Sequence, residues 1–237
     1  TLRYIHSNLT GGTSVEGTDS KAGNSAAADI SSFFQKDIEL GNKDAVLTAG
    51  INISNIGAKI SYTETGTKNF LPTNLRLGPG LKLKLNEYND LAFGLDINKL
   101  LVPTPPIYTQ DSTNSANDVI LYGQDPDVGV PAGMLQSFSD APGGGKEELK
   151  EINLGFGMEY WYDKQFAFRA GYFYEDKTKG NRKYFTLGAG LRYNVFGLDL
   201  AYLIPTDQRN PLENTLHFTL TFDFDAQDGG KSDKSAE

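Results

Sequence analysis

Residues that could carry chemistry are few and scattered in this sequence. His6 and His217 are the two side chains whose ordinary titration lies near neutral pH, and neither has clustered carboxylates close to it in sequence. Cysteine is absent, so disulfides, thiolate metal sites and a cysteine nucleophile are excluded. Nothing shows the local spacing of a metal site. Ser139-Asp140 is not part of a nucleophile elbow or of a recognisable triad. The sequence therefore predicts no catalytic residue, no metal and no cofactor, and the chain is expected to act other than as an enzyme.

The charged residues make a different pattern. Arg76, Lys82, Lys84, Asp96, Glu151, Glu159, Arg169, Glu175, Arg192 and Asp199 recur at positions that alternate with apolar ones. Their mixed signs predict ion pairs on one face, and Arg76, Asp96, Glu151, Glu159, Arg169 and Arg192 are the predicted lumen network of a barrel. A ring of one sign would point to ion selectivity, and none is visible.

Such a face requires strands. From Leu149 to Phe224 apolar and polar residues alternate: Ile152, Leu154, Phe156, Met158 and Tyr160 against Glu151, Asn153, Gly155, Gly157 and Glu159. The same period carries Phe166 to Glu175, Phe185 to Asn194 and Thr215 to Phe224. Period and turn residues together predict ten strands, near 1–9, 27–38, 45–62, 73–86, 90–101, 148–162, 165–176, 182–194, 197–205 and 213–224. Their connections alternate between short and long, as in outer-membrane barrels with tight periplasmic turns and long outer loops.

Composition favours the same reading over a soluble β-sandwich. Hydrophobic residues are 38%, aromatics 11%, and there are 26 glycines among 237 residues. Tyr and Phe crowd the apolar face, where a sandwich would carry branched aliphatics. No run of about 18 apolar residues exists to form a membrane helix, so membrane residence requires strands. A net charge of −8 argues against nucleic acid as a partner. The sequence opens in strand-like residues, and an export signal and earlier strands are expected upstream.

Three local features stand out. At Ser54-Asn55-Ile56-Gly57 the apolar face shifts by one residue, which predicts a wall kink at Asn55 and Gly57, either a rim bulge or a lateral opening. Pro79 removes a ladder donor from strand four. The loop 102–147 is long enough to be functional, and Asp125, Pro126, Val130, Met134, Leu135 and Phe138 are its predicted partner-binding residues, with Pro131 starting a short helix. Residues 112–117 read as solvated, and 225–237 as a disordered polar tail.

Long strings of residues resemble the PorV (LptO) family of the type IX secretion system. They include 52–57 (Asn-Ile-Ser-Asn-Ile-Gly), 95–105 (from Leu95 to Pro105), 125–144 with 146–149, Glu159-Tyr160-Trp161-Tyr162 and 168–173. The resemblance implies a FadL-like transmembrane antiparallel β-barrel of fourteen strands in the bacterial outer membrane, ten of them in residues 1–224. It further implies that cargo is received through its C-terminal signal domain at a SprA-type translocon and passed to a PorU-type sortase complex at the surface. Outer-membrane lipid is the implied surrounding. The alternative is a FadL-like channel for hydrophobic small molecules, with the Asn55–Gly57 kink as a side exit. Lipopolysaccharide modification would need a catalytic set that the sequence does not contain.

Overall fold

Chain reversals are set by residues that tolerate a left-handed backbone. Gly41 and Asn42 have φ of 56° and 64°, Asp163 and Lys164 50° and 54°, and Asn194 51°. Consecutive positive φ values give the tight hairpin turns whose twist matches that of the strands they join. In the computed structural model, residues 1–8, 21–63, 68–109, 119–206 and 215–224 are described. The polar tail 225–237 and residues 112–117 lie outside them.

The elements are β1 (Leu2–Ser7), β2 (Gly23–Leu40), β3 (Lys43–Gly57), β4 (Asn74–Lys84), β5 (Asn89–Leu100), β6 (Ile107–Tyr108), β7 (Ile120–Tyr122), α1 (Val130–Gln136), α2 (Gly145–Lys150), β8 (Ile152–Tyr162), β9 (Phe166–Tyr174), β10 (Lys183–Tyr193), β11 (Phe196–Pro205) and β12 (Leu216–Phe222). The fold is all-β. Ten strands make one antiparallel sheet in the order β1-β2-β3-β4-β5-β8-β9-β10-β11-β12, so each predicted strand is present and joined to its neighbour in the chain. β1 and β12 stand at the ends of that order, and the sheet is not closed between them.

Three boundaries differ from expectation by four residues or more, the first being β2, which begins at Gly23 rather than near 27. β3 ends at Gly57 rather than near 62, two residues past Asn55, whose φ of 60° bends the strand. β8 begins at Ile152 rather than 148, because 145–150 coil into α2 with Glu147 and Glu148 in the first turn and Lys150 in the last. That charge order suits a helix dipole. The hairpin β6–β7 has no counterpart among the predicted strands. Among the described residues no helix is long and apolar enough to cross a membrane.

The chain forms two compact units. The first is Thr1–Phe33, Gly50–Leu77 and Ile97–Ile152. Its small core is Ala27, Ile60 and Leu71, with Ile5 and Tyr62 packed on it. The second is Phe34–Ala49, Gly78–Asp96 and Asn153–Glu237. It has unlike faces, fixed by register: Phe156 opposes Tyr172, Phe185 opposes Tyr172, Leu200 opposes Phe218 and Phe196 opposes Phe222. This face is exposed, Phe168 at 60%, Phe218 at 71% and Leu187 at 54%. So continuous an exposed apolar band is the kind of surface that marks contact with a membrane or a partner.

Candidate functional site

The loop between β5 and β8 is held at its base by a buried charge cluster in the first unit. Lys99, at the end of β5, is 6% exposed and donates to Glu148 Oε2 at 3.1 Å and Glu151 Oε2 at 2.9 Å. The Phe138 ring centroid lies 5.7 Å from the same ammonium. Glu148 accepts the Ala141 N–H at 2.7 Å, and Glu151 accepts the Thr104 hydroxyl at 2.8 Å. Both strands of the loop base are thereby tied to one lysine.

Asp140 completes the cluster. It is fully buried, and its Oδ2 accepts the Thr104 N–H at 3.0 Å. Its Oδ1 is buried without a hydrogen bond. Burial raises its pKa above the ordinary carboxylate range, Glu148 and Glu151 add to that, and the Thr104 N–H opposes it.

α1 stands on this base. Pro131 lies in its first turn, where a missing N–H costs nothing. Gly133 is buried and faces the Phe70 ring and Pro103. Met134 and Val130 are half-buried, while Leu135 is 76% and Phe138 50% exposed. Asp125 Oδ1 accepts the Asp127 N–H at 2.9 Å, and the Asp125 carbonyl accepts from Gln136 Nε2 at 2.9 Å, so Asp125 shapes the turn through Pro126 into the helix. The structure thus brings the six predicted loop residues onto one short segment, with Leu135 and Phe138 as its exposed apolar groups. The hairpin adds Tyr122 and Val119, exposed at 61% and 64%. Alternation over two or three residues is too short a signal to reveal such a hairpin from sequence.

The charged network divides. In the second unit Glu159 and Arg169 oppose each other across the β8–β9 ladder, Nε to Oε2 2.5 Å. Arg169 Nη1 reaches Asp199 Oδ1 at 2.7 Å, and Arg192 Nη2 reaches Asp199 Oδ2 at 2.6 Å. The guanidiniums of Arg169 and Arg192 lie 5.5 and 5.6 Å from the Trp161 ring centroid, and Trp161 donates to Glu159 at 2.6 Å. Asp96, with Glu159 and Arg169, lines a trough of about 570 Å³. Arg76 lies in the first unit. Glu151, expected on this face of a strand, instead follows α2 and binds Lys99.

The kink is bonded on every side. Asn55 N–H donates to Asp29 Oδ1 at 2.9 Å, its Nδ2 to the Pro72 carbonyl at 3.0 Å, and its carbonyl accepts from Thr73 Oγ1 at 2.8 Å. Arg3 donates to Asn55 Oδ1 at 3.1 Å and pairs with Asp29. At Gly57 a Cβ would collide with the Ala26 carbonyl oxygen. This is a stitched bend. His6 bonds Asn24 at 2.8 Å, and His217 opposes Ala201. Pro79 sits within an unbroken β4.

Fold and faces together define an antiparallel, up-and-down sheet of the outer-membrane barrel type, with a polar face braced by ion pairs and a clasped loop. The family model described as type IX secretion system protein PorV matches residues 1–107. Over that stretch the chain is similar to a component of type IX secretion, and the resemblance read from the sequence at 52–57 and 95–105 falls inside it. The strings from 125 onward lie beyond the matched residues. No curated protein matches the chain.

Proposed function

We propose that this chain is an outer-membrane component of type IX secretion that binds the C-terminal signal domain of secreted cargo at a SprA-type translocon and passes it to a PorU-type sortase complex. The observation that carries the proposal is α1 and the turn that follows it: Leu135 on the helix and Phe138 just past its end are exposed, while Gly133 of the helix and Lys99 at the loop base are buried. Large apolar side chains held outward on a braced loop are the usual makings of a binding hot spot. The family match over 1–107 supports the secretion system, and the exposed apolar band supports lipid as the surrounding. The role is binding, without catalysis.

The FadL-like channel for hydrophobic molecules fits less well. Its side exit would be the Asn55–Gly57 bend, where Asn55 is held by hydrogen bonds to Asp29, Pro72 and Thr73, which speaks against a bend that opens.

Replacing Met134, Leu135 and Phe138 together with serine tests the proposal. Capture of a purified cargo signal domain by the detergent-solubilised protein should be lost while insertion into the membrane is unchanged. Undiminished capture would remove the loop from the mechanism.

A further inference from the structure

Beside α1 lies a cleft of about 680 Å³, in the size range of small-ligand sites. Its apolar walls are Phe70, Val102, Pro103 and Pro126. Lys59, Lys68 and Asp127 supply its charge.

The state of Lys59 indicates what the cleft accepts. Its side chain is 16% exposed, and its ammonium lies 4.3 Å from the Phe70 ring centroid. Asp127 is its paired anion at 3.4 Å, but the Asp127 side chain is 96% exposed. A long contact to a carboxylate standing in water contributes little, so an incoming carboxylate can take that place at small cost. Such a group would gain a charge-assisted bond to a cation already held by a ring, with Lys68 nearby.

The neighbours on its carboxylate must be apolar, because four of the lining residues are. Phe70 and Pro103 also stand against Gly133 of α1, so the cleft shares two of its apolar residues with the seat of the helix that carries Leu135. Beside a proposed protein-binding segment, that favours a protein ligand over a lipid.

We infer that the cleft binds a carboxylate flanked by apolar side chains on an extended segment of the partner protein, displacing Asp127 from Lys59. The inference rests on the partner-binding reading of the loop. A Glu or Asp side chain and a chain-terminal carboxylate offer the same chemistry.

Fluorescence anisotropy on the full chain in detergent distinguishes them. The probes are labelled Leu-Phe-Glu amide and Leu-Phe-Leu with a free carboxyl end, each beside its uncharged analogue (Gln for Glu, terminal amide for acid). The carboxylate forms should bind about tenfold tighter than the uncharged forms, and the tighter of the two identifies the source. Lys59→Gln should abolish the preference and Lys59→Arg should keep it. Asp127→Asn should tighten carboxylate binding about two- to fivefold, the reverse of what a merely structural aspartate would do. Equal binding of charged and uncharged peptides overturns the inference, as does weaker binding by Asp127→Asn. Displacement of the peptides by decanoate at concentrations below those of unlabelled peptide would give the cleft to acyl chains and also overturn it. If the peptides fail while the protein still captures signal domains through Leu135 and Phe138, the cleft alone is wrong. If loop substitutions leave capture intact, the loop reading is wrong.

Discussion

Gly133 stands against the ring of Phe70: a Cβ at residue 133 would lie 2.7 Å from Phe70 Cε1 and 3.0 Å from Pro103 Cγ. Helix α1 can seat only because this position has no side chain.

Gly133→Val should therefore lift α1 from its seat, at a local cost of about 1–3 kcal/mol from overpacking. Limited proteolysis would read it as faster cleavage between residues 123 and 145, with strand content by circular dichroism unchanged.

Asn55→Ala should destabilise the first unit by about 1–3 kcal/mol, since it leaves a left-handed backbone without the side chain that holds it. Asn55→Gly keeps the backbone and loses the side-chain bonds, so its midpoint in urea should fall between those of Asn55→Ala and the parent. A side-exit role would appear instead as altered uptake of a hydrophobic dye.

Arg169→Met leaves Glu159 and Asp199 facing each other without the cation between them. With these side chains partly exposed, the loss should be about 1–2 kcal/mol, between that of a surface pair and a buried one. Adding Glu159→Gln should restore part of it, and a double-mutant cycle in urea measures the coupling.

Asp140 makes the loop base sensitive to pH. Its folded pKa is raised by burial, so its contribution is fully present below its unfolded value and is lost as pH rises through the folded value. Amide exchange across 137–151 should quicken as pH rises through that window, once corrected for the intrinsic rate. Asp140→Asn should flatten the trend and protect the segment at neutral pH. An unchanged slope in that variant would assign the sensitivity elsewhere.

The strands and their faces were legible because alternation over seven or more residues is a strong signal, and because Asn, Asp and Gly mark the reversals. The helix after Pro131 was legible for a similar local reason. Lys99, Thr104, Glu148 and Asp140 were not, since the contacts joining them cross dozens of residues and no period announces them. Glu151 was misplaced because alternation continues smoothly into 148–151 while the chain has already coiled into α2. Arg182, which donates to Glu175 at 2.8 Å and holds its carboxyl below the ordinary range, was missed because both residues lie in the connection between β9 and β10, where alternation assigns no face.

The lysine at the end of β5 has a last consequence, for the thermodynamics of association. By pinning both ends of a long excursion to one point, it turns an open chain into a closed ring, whose closure entropy is settled during folding. A ligand docking on α1 then meets a preorganised surface. Its affinity should be governed by the dehydration of Leu135 and Phe138, with a negative heat-capacity change and little ordering penalty.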